Sequence, residues 1–305
     1  MKAPAWLLPP KPARLLVLCG ILLAILLGEK IYSYWSPTHT QATAHYVIQS
    51  SALPPQTTET GDKVEALYTA YPETFKTWPE LQQPHEKLKL NLFKDRAEFR
   101  RCNRRIPGWA EAYYRTPYCN AYYSANELNP HHWMLHEAVH QLNHEVAHLD
   151  LAKWADEGLS EYFSTSFLRN GRLEVGNVDR NTYPVWWLDE LNLSGNLEKD
   201  LGNKTVIPLR AILNGYGGPS LDQNFNLYYL HWWSLTHLLF EGQNGKYRNQ
   251  VASLLREGAS LESFEKHIGP VDQLQAEWYQ HLQDLRWQLF RLGATNRISV
   301  PKKAN

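Results

Sequence analysis

Cysteine, methionine and unbalanced charge are all scarce in this chain. Its 305 residues include three cysteines and two methionines, and 31 basic side chains balance 31 acidic ones. The chain has no basic stripe, so nucleic acid is a poor candidate partner and we expect none. No CxxC pair is present either, so a cysteine-based zinc site is not expected.

A long apolar run is also missing. The most apolar stretch, residues 15–27, is shorter than the roughly 20 residues of a spanning helix and is typical of a signal-peptide core. Lys2, Lys11 and Arg14 precede it, which orients the rest of the chain outside the cytoplasm, in the periplasm or at the cell surface. Because no small-residue cleavage site follows, residues 1–35 are predicted to form an uncleaved membrane anchor. A cleaved signal, giving a secreted protein, and a buried helix of a soluble protein are the alternatives.

Histidine, in contrast, is abundant and occurs at one-turn spacing. His136-Glu-Ala-Val-His140 places two histidines four residues apart, so on a helix both imidazoles can reach one metal ion. Glu137 would then lie beside the metal, where it can activate a bound water. The alternative is a solvated helix face that carries two ordinary histidines.

A second polar segment, residues 154–162, contains two glutamates that are also one turn apart. Glu157 would complete a site of two histidines and one glutamate with an open fourth position, the catalytic form of zinc coordination. One of Glu157 and Glu161 can bind the metal while the other supports a histidine ligand. The two segments together predict one Zn²⁺ per chain and a zinc-dependent peptidase, a hydrolase.

The first helix contains a second HExxH, from His144 to His148, and only one histidine pair can bind the metal. Eight residues separate His148 from Glu157, which is short for ending one helix and starting another. Sixteen residues separate His140 from Glu157, which is enough. We therefore assign His136 and His140 to the metal and interpret the later pair as helix-end residues, which suit the helix dipole there.

The two segments resemble the gluzincin clan of zinc metallopeptidases, and most of all its bacterial peptidase MA-like proteins. The resemblance implies that His136, His140 and Glu157 bind zinc, that Glu137 is the general base, and that Glu161 supports a histidine ligand. It also implies a thermolysin-like catalytic domain with two lobes, a small mixed sheet followed by a helical lobe.

The resemblance further implies that a later helix, around residues 228–235, carries the group that stabilises the transition state. Tyr229 is the first candidate, and His231 and Tyr228 are the alternatives. In the expected mechanism, zinc activates a water and polarises the scissile carbonyl, while Glu137 moves the proton to the leaving amine. Tyr229 would stabilise the developing oxyanion.

Residues 109–123 are aromatic, partly alternating and interrupted by Thr116-Pro117, which predicts a β-hairpin. In the clan, a strand at this place forms the edge of the cleft, to which a peptide or protein substrate can pair by strand addition. An ordinary sheet edge is the alternative. Cys102 and Cys119 flank the hairpin and could form a disulfide worth ~3 kcal/mol, although both could equally be free thiols.

The rest of the chain predicts an α+β order. A linker at residues 36–62 precedes a peptidase domain at 63–295 and a basic tail at 296–305. The metal-binding helix is predicted to open after Asn129, as its N-cap, and the second ligand helix to cover about 155–168. Further helices are predicted at about 224–241, 246–257 and 271–291, after a strand at 87–93.

Two alternatives to a peptidase fit part of the pattern. One is a catalytically silent zinc-binding scaffold, although a purely structural site would not need Glu137 as a base. The other is a glycan- or protein-binding module of the cell envelope, suggested by twelve tryptophans and seventeen tyrosines, which could also simply fill a core. The sequence leaves substrate specificity and oligomeric state open.

Overall fold

The chain folds into a small mixed sheet and a helical lobe, as the α+β order predicts. The computed structural model describes residues 15–16, 18–23, 33–75, 84, 86–178 and 180–295. Its strands are β1 (His39–Ala42), β2 (Tyr46–Ser50), β3 (Leu88–Phe93), β4 (Tyr113–Arg115), β5 (Tyr118–Tyr122), β6 (Phe167–Arg169) and β7 (Arg172–Glu174). Its helices are α1 (Pro54–Thr74), α2 (Arg96–Cys102), α3 (His132–Gln141), α4 (Lys153–Ser164), α5 (Leu197–Gly202), α6 (Leu209–Asn214), α7 (Leu221–Gly245), α8 (Arg248–Arg256), α9 (Leu261–His267) and α10 (Val271–Thr295).

Five strands form the main sheet in the order β1-β2-β3-β5-β4. The pairs β2–β3 and β3–β5 are parallel, while β1–β2 and β4–β5 are antiparallel. Strand β3 alternates buried and half-buried residues, which is the pattern of a strand with one face on the core. The hairpin predicted around Thr116-Pro117 is confirmed as β4–β5, and β4 is an edge strand among the described residues.

The predicted linker at residues 36–62 is wrong. Strands β1 and β2 and the first turns of α1 lie there, and Tyr46 and Ile48 are fully buried. The segment was predicted to be a linker because it is rich in polar residues and proline. These residues arise because β1 exposes every second residue and α1 begins with a run of prolines and threonines. The folded domain therefore begins well before residue 63, and the predicted tail at 296–305 lies outside the described residues.

The helical lobe packs onto the sheet through α3 and α4. Helix α4 contacts both α3 and α7, and α3 contacts β5. Asn129 does not cap α3, because its side chain donates a hydrogen bond to the carbonyl of Ser164 at the end of α4. Helix α4 is also shorter than predicted, because it ends at Ser164 and residues 167–174 form the hairpin β6–β7. Asn170 and Gly171 have left-handed conformations at the turn of this hairpin.

Of the two states that the sequence left open for Cys102 and Cys119, the structure shows free thiols and no disulfide. Cys119 lies in the core between the sheet and α3, where its Sγ donates to the carbonyl of Glu137. Cys102 packs with Phe99 and Tyr122 in a smaller cluster. Because Cys119 and Tyr122 are three residues apart on β5, they point to opposite faces of the sheet, and the sheet separates the two thiols.

Most of the predicted anchor, residues 1–35, lies outside the described residues. Within the part of the chain that the structure describes, no helix has both the length and the apolar character needed to cross a membrane.

Candidate metal centre

Helices α3 and α4 bring three potential metal ligands to one point. The Nε2 atoms of His136 and His140 are 3.1 Å apart, and Oε2 of Glu157 lies 3.4 Å from the first and 3.7 Å from the second. Each of the two helices buries an apolar stripe, which on α3 includes Leu135 and Val139. This orientation places the polar residues of both helices at the contact between them. Among the described residues, these three form the one group of histidines, cysteines and acids that could hold a metal ion.

The spacing of the three atoms fits a tetrahedral metal ion. Bonds of about 2.0–2.1 Å from one ion place neighbouring ligand atoms about 3.3 Å apart. The observed separations of 3.1–3.7 Å bracket this value. Oε2 of Glu157 is also buried without a hydrogen-bond partner, which is costly unless a cation balances it. The donor set of two imidazoles and one carboxylate is one that zinc prefers.

The structure places Glu161, the residue that the resemblance suggested as a support, next to the candidate ligand His136. Its Oε1 atom lies 3.2 Å from Nδ1 of His136, an ion-pair distance without ideal hydrogen-bond alignment. Its other oxygen lies 3.7 Å from Nε2 of His132. Glu161 is fully buried. A carboxylate on Nδ1 favours the tautomer that carries its proton there and leaves Nε2 free to bind a metal.

Asp156 occupies the equivalent place next to the other candidate ligand, His140, and the sequence reasoning missed it. Its Oδ2 atom lies 2.9 Å from Nδ1 of His140, and the hydroxyl of Ser160 lies 3.3 Å from the same nitrogen. The signal was present, because Asp156 directly precedes Glu157. The role of Asp156 could not be assigned from the sequence, because adjacent residues on a helix point about 100° apart. Only the position of α3 shows that Asp156 and Glu157 both reach His140.

The charges of the cluster favour a cation at its centre. Burial alone would lower the pKa of His136, but the carboxylates of Glu161 and Glu157 raise that pKa to about 10. Burial opposes protonation of His140 as well, yet Asp156 and Glu157 raise its pKa well above the ordinary value. Burial would raise the pKa of Glu157, but the two histidines lower it far below its usual range. A divalent cation satisfies the same carboxylates.

Glu137 lies beside this cluster and faces open space. Two adjoining cavities of about 510 and 500 Å³ share His136, Glu137 and Tyr229 in their walls. Burial raises the pKa of Glu137 against the opposing influence of His136 and His140, and a backbone hydrogen bond from Tyr114 also lowers it. Glu137 is therefore a carboxyl group with an elevated pKa next to the candidate metal ligands, which suits proton transfer.

Of the three residues suggested for the transition state, the structure brings Tyr229 to the site. Its ring lies 6.2 Å from that of His136, and burial, followed by the nearby Glu157, raises the pKa of its hydroxyl well above 10. Tyr228 instead donates to the carbonyl of Pro219, and His231 accepts from the backbone N–H of Ile207 in the core. Neither of these two lines the cavities.

Tyr183 is a second tyrosine at the site that the sequence did not suggest. Its ring lies 5.8 Å from that of Tyr229 and 5.9 Å from that of His132. Burial raises the pKa of its hydroxyl, and Glu161 and Glu157 raise it further. It precedes a short 3₁₀ turn in a stretch without periodic pattern, so only the tertiary fold places it here.

The second HExxH is not a continuous α-helix. Helix α3 ends at Gln141, and residues Leu142–Val146 form a wider π-helical turn. His144 points to Tyr114 on β4, whose hydroxyl lies 3.2 Å from its Nδ1. His148 has left-handed backbone dihedral angles, with φ of 51°. His144 and His148 therefore lie at and beyond the end of the helix, apart from the candidate pair His136 and His140.

Comparison with known proteins adds no further assignment. A scan against protein-family models finds no matching family, and a search of curated proteins finds no match. The relationship to the gluzincin clan therefore stays a prediction from the two metal-binding segments.

Proposed function

We propose that this protein is a zinc-dependent peptidase of the gluzincin type. The observation that carries the proposal is the convergence of His136, His140 and Glu157 at tetrahedral spacing, with Glu137 beside them at a cavity wall. A structural zinc site closes all four positions with protein ligands, whereas three protein ligands beside a cavity leave one position for water or substrate.

The residues divide the chemistry between them. When bound, zinc lowers the pKa of a water ligand toward neutrality and polarises a carbonyl as a Lewis acid. The carboxylate of Glu137 takes the proton from the attacking water and delivers it to the nitrogen of the leaving amine. His136 and His140 stay in the tautomer set by Glu161 and Asp156, with their Nε2 lone pairs directed to the metal.

Tyr229 supports the step as a hydrogen-bond donor. Its raised pKa keeps the hydroxyl protonated at neutral pH, so it can donate to the oxyanion that develops on the substrate carbonyl. Tyr183 is the neighbouring donor and is the second candidate for this role.

The edge strand β4 provides a place for an extended peptide. Tyr113, Tyr114 and Ala112 line the cavity that contains His140 and Glu157. An edge strand offers free backbone groups along one side, so a substrate chain can add to it as a further strand. The backbone contact from Tyr114 to Glu137 ties this edge to the proposed base. We further propose that the domain works outside the cytoplasm, held at the membrane by residues 1–35.

The metal content of the purified full-length chain tests the proposal. We expect about one zinc per chain, lost in His140→Ala and kept in Glu137→Gln. On a quenched-fluorescence peptide library, the zinc-loaded protein should cleave and Glu137→Gln should not. Absence of zinc, or zinc that persists in His140→Ala, contradicts the site. Zinc without cleavage of any peptide contradicts the activity.

One observation favours a second candidate function, binding of glycans. Aromatic side chains form much of the cavity next to Glu161, namely Trp109, Tyr122, Trp133, Tyr183, Trp186, Trp187, Phe225 and Tyr229. Aromatic faces stack on sugar rings as well as on apolar side chains. Glycan binding that survives chelation of the metal would favour this function over hydrolysis.

A further inference from the structure

We propose that Asn143 and Tyr71 are positioning residues for the metal centre. In this view they act through Asp156, which they hold in place so that it fixes the tautomer and orientation of His140. The inference rests on the metal site of the proposed function. It assigns a role to two residues outside both metal-binding segments.

The side chains of four residues form a continuous series of contacts, in the order Tyr71, Asn143, Asp156 and His140. The hydroxyl of Tyr71 donates to Oδ1 of Asn143 at 2.5 Å, and Nδ2 of Asn143 donates to Oδ1 of Asp156 at 2.7 Å. Oδ2 of Asp156 lies 2.9 Å from Nδ1 of His140. The contacts therefore connect α1, the π-helical turn, α4 and α3.

The direction of each hydrogen bond is fixed by chemistry. An ionised carboxylate accepts only, so Asn143 must turn its amide NH₂ toward Asp156 and its carbonyl oxygen toward Tyr71. Asp156 must also accept from His140, which places the imidazole proton on Nδ1. In the neutral imidazole, Nε2 of His140 is then left with its lone pair, facing Nε2 of His136 and Oε2 of Glu157.

Burial distinguishes these four side chains from an ordinary hydrogen-bond network on the protein surface. Tyr71 is fully buried and Asn143 is 2% exposed, whereas Asp156 is partly open to the cavity. Water at that cavity would compete for the Asp156 carboxylate. A buried amide donor on its other oxygen holds the carboxylate against that competition.

The local structure explains how Asn143 reaches Asp156. It lies in the π-helical turn, where the backbone N–H of Ala147 bonds to the carbonyl of Leu142, five residues back. Such turns are rare and frequently lie at functional sites. Tyr71 is held independently, since its ring packs 5.5 Å from Phe163 on α4 and 5.2 Å from Phe75. Tyr71→Phe therefore removes one hydroxyl and keeps the aromatic packing.

The test is the zinc dissociation constant of the full-length protein, measured by competition with a chromophoric chelator. Loss of a partner that orients a metal ligand typically weakens metal binding about 10–100-fold, so we expect about 10-fold or more for Asn143→Ala. We expect a smaller loss, about 3–10-fold, for Tyr71→Phe, which is one contact further away. The visible absorption of the Co²⁺-loaded protein should shift in both variants because the orientation of His140 changes.

Two matched variants control for general loss of stability. Tyr279→Phe removes a buried tyrosine hydroxyl that donates to Asp200 at 2.6 Å, and Asn120→Ala removes a buried amide that bonds Asn91 at 2.9 Å. Both should lower the melting temperature and leave the zinc affinity and the Co²⁺ spectrum unchanged. If Tyr71→Phe and Asn143→Ala behave like these controls while the unaltered protein binds zinc, the positioning role is wrong and the metal site stands. If the unaltered protein binds no zinc, the proposed function fails and this inference fails with it.

Discussion

The Nε2 atoms of His136 and His140 lie 3.1 Å apart, while the Nδ1 atom of each ring faces a carboxylate. With both Nδ1 atoms protonated and both imidazoles neutral, two Nε2 lone pairs converge on one point, where a single metal ion can bind both. Most of the chemistry proposed above follows from this relationship.

Replacing Glu161 by Gln should weaken zinc binding about 10–100-fold. The substitution keeps the shape of the side chain but removes the charge that faces Nδ1 of His136 at 3.2 Å. The measurement is the zinc dissociation constant at neutral pH. Asp200→Asn is the matched control, because Asp200 is equally buried and bonds Tyr279 in the helical lobe. An unchanged affinity in Glu161→Gln would show that His136 needs no carboxylate partner.

Replacing Tyr229 by Phe should lower kcat by about 10²-fold or more, with little change in KM or zinc content. The expected cause is loss of the donor that stabilises the oxyanion. Steady-state kinetics on the best peptide from the library would measure the effect. The comparison variant is Tyr183→Phe, whose ring lies 5.8 Å away. A larger loss in Tyr183→Phe than in Tyr229→Phe would transfer the role to Tyr183.

Replacing Gly158 by Ala should destabilise the fold by about 1–3 kcal/mol. A Cβ atom on Gly158 would lie 2.8 Å from the backbone carbonyl oxygen of Trp232, so α4 and α7 must move apart. Thermal unfolding measures the change. Gly202→Ala provides the contrast, since a Cβ there meets nothing within 4 Å and its melting temperature should stay the same or rise. Equal stabilities of the two variants would mean that α4 and α7 are not packed so closely.

Replacing Glu65 by Gln should cost about 1.5 kcal/mol of unfolding free energy at pH 7. Its carboxylate accepts from the backbone N–H of His45 at 2.7 Å and from the hydroxyl of Thr43 at 2.5 Å. Burial would raise the pKa of Glu65, but its contacts with His45 and Thr43 lower that pKa below 4.5. Its stabilising contribution is therefore complete above pH 4.5 and is lost as the pH falls through the folded-state pKa.

Denaturant unfolding at several pH values would check this prediction. The difference between the unaltered protein and Glu65→Gln should shrink as the pH drops below about 4.5. Glu73→Gln, at an exposed position of the same helix, should show little difference at any pH. A difference that does not change with pH would mean that the carboxylate charge does not hold residues 43–45 to α1.

The prediction succeeded where a local pattern determines the outcome, and it failed where the outcome depends on distant packing. Alternation predicted β3, and the proline-containing turn predicted the β4–β5 hairpin. The prediction of a linker at residues 36–62 failed because β1 pairs with β2, and β2 pairs with β3, which comes some forty residues later in the sequence. The sequence left the state of Cys102 and Cys119 open because spacing along the chain says nothing about which face of the sheet a thiol occupies.

The sequence by itself determined that two histidines and a nearby glutamate belong to one site, because one-turn spacing on a helix is a local property of the backbone. It also indicated Glu137 and Glu161, which share the same two helices. Only the tertiary structure decided that Asp156, Asn143 and Tyr71 line up behind His140, and that Tyr229 rather than His231 faces the cavity. These relationships depend on how α1, α3, α4 and α7 are rotated against one another, and that rotation is set by the packing of their apolar faces across the whole core.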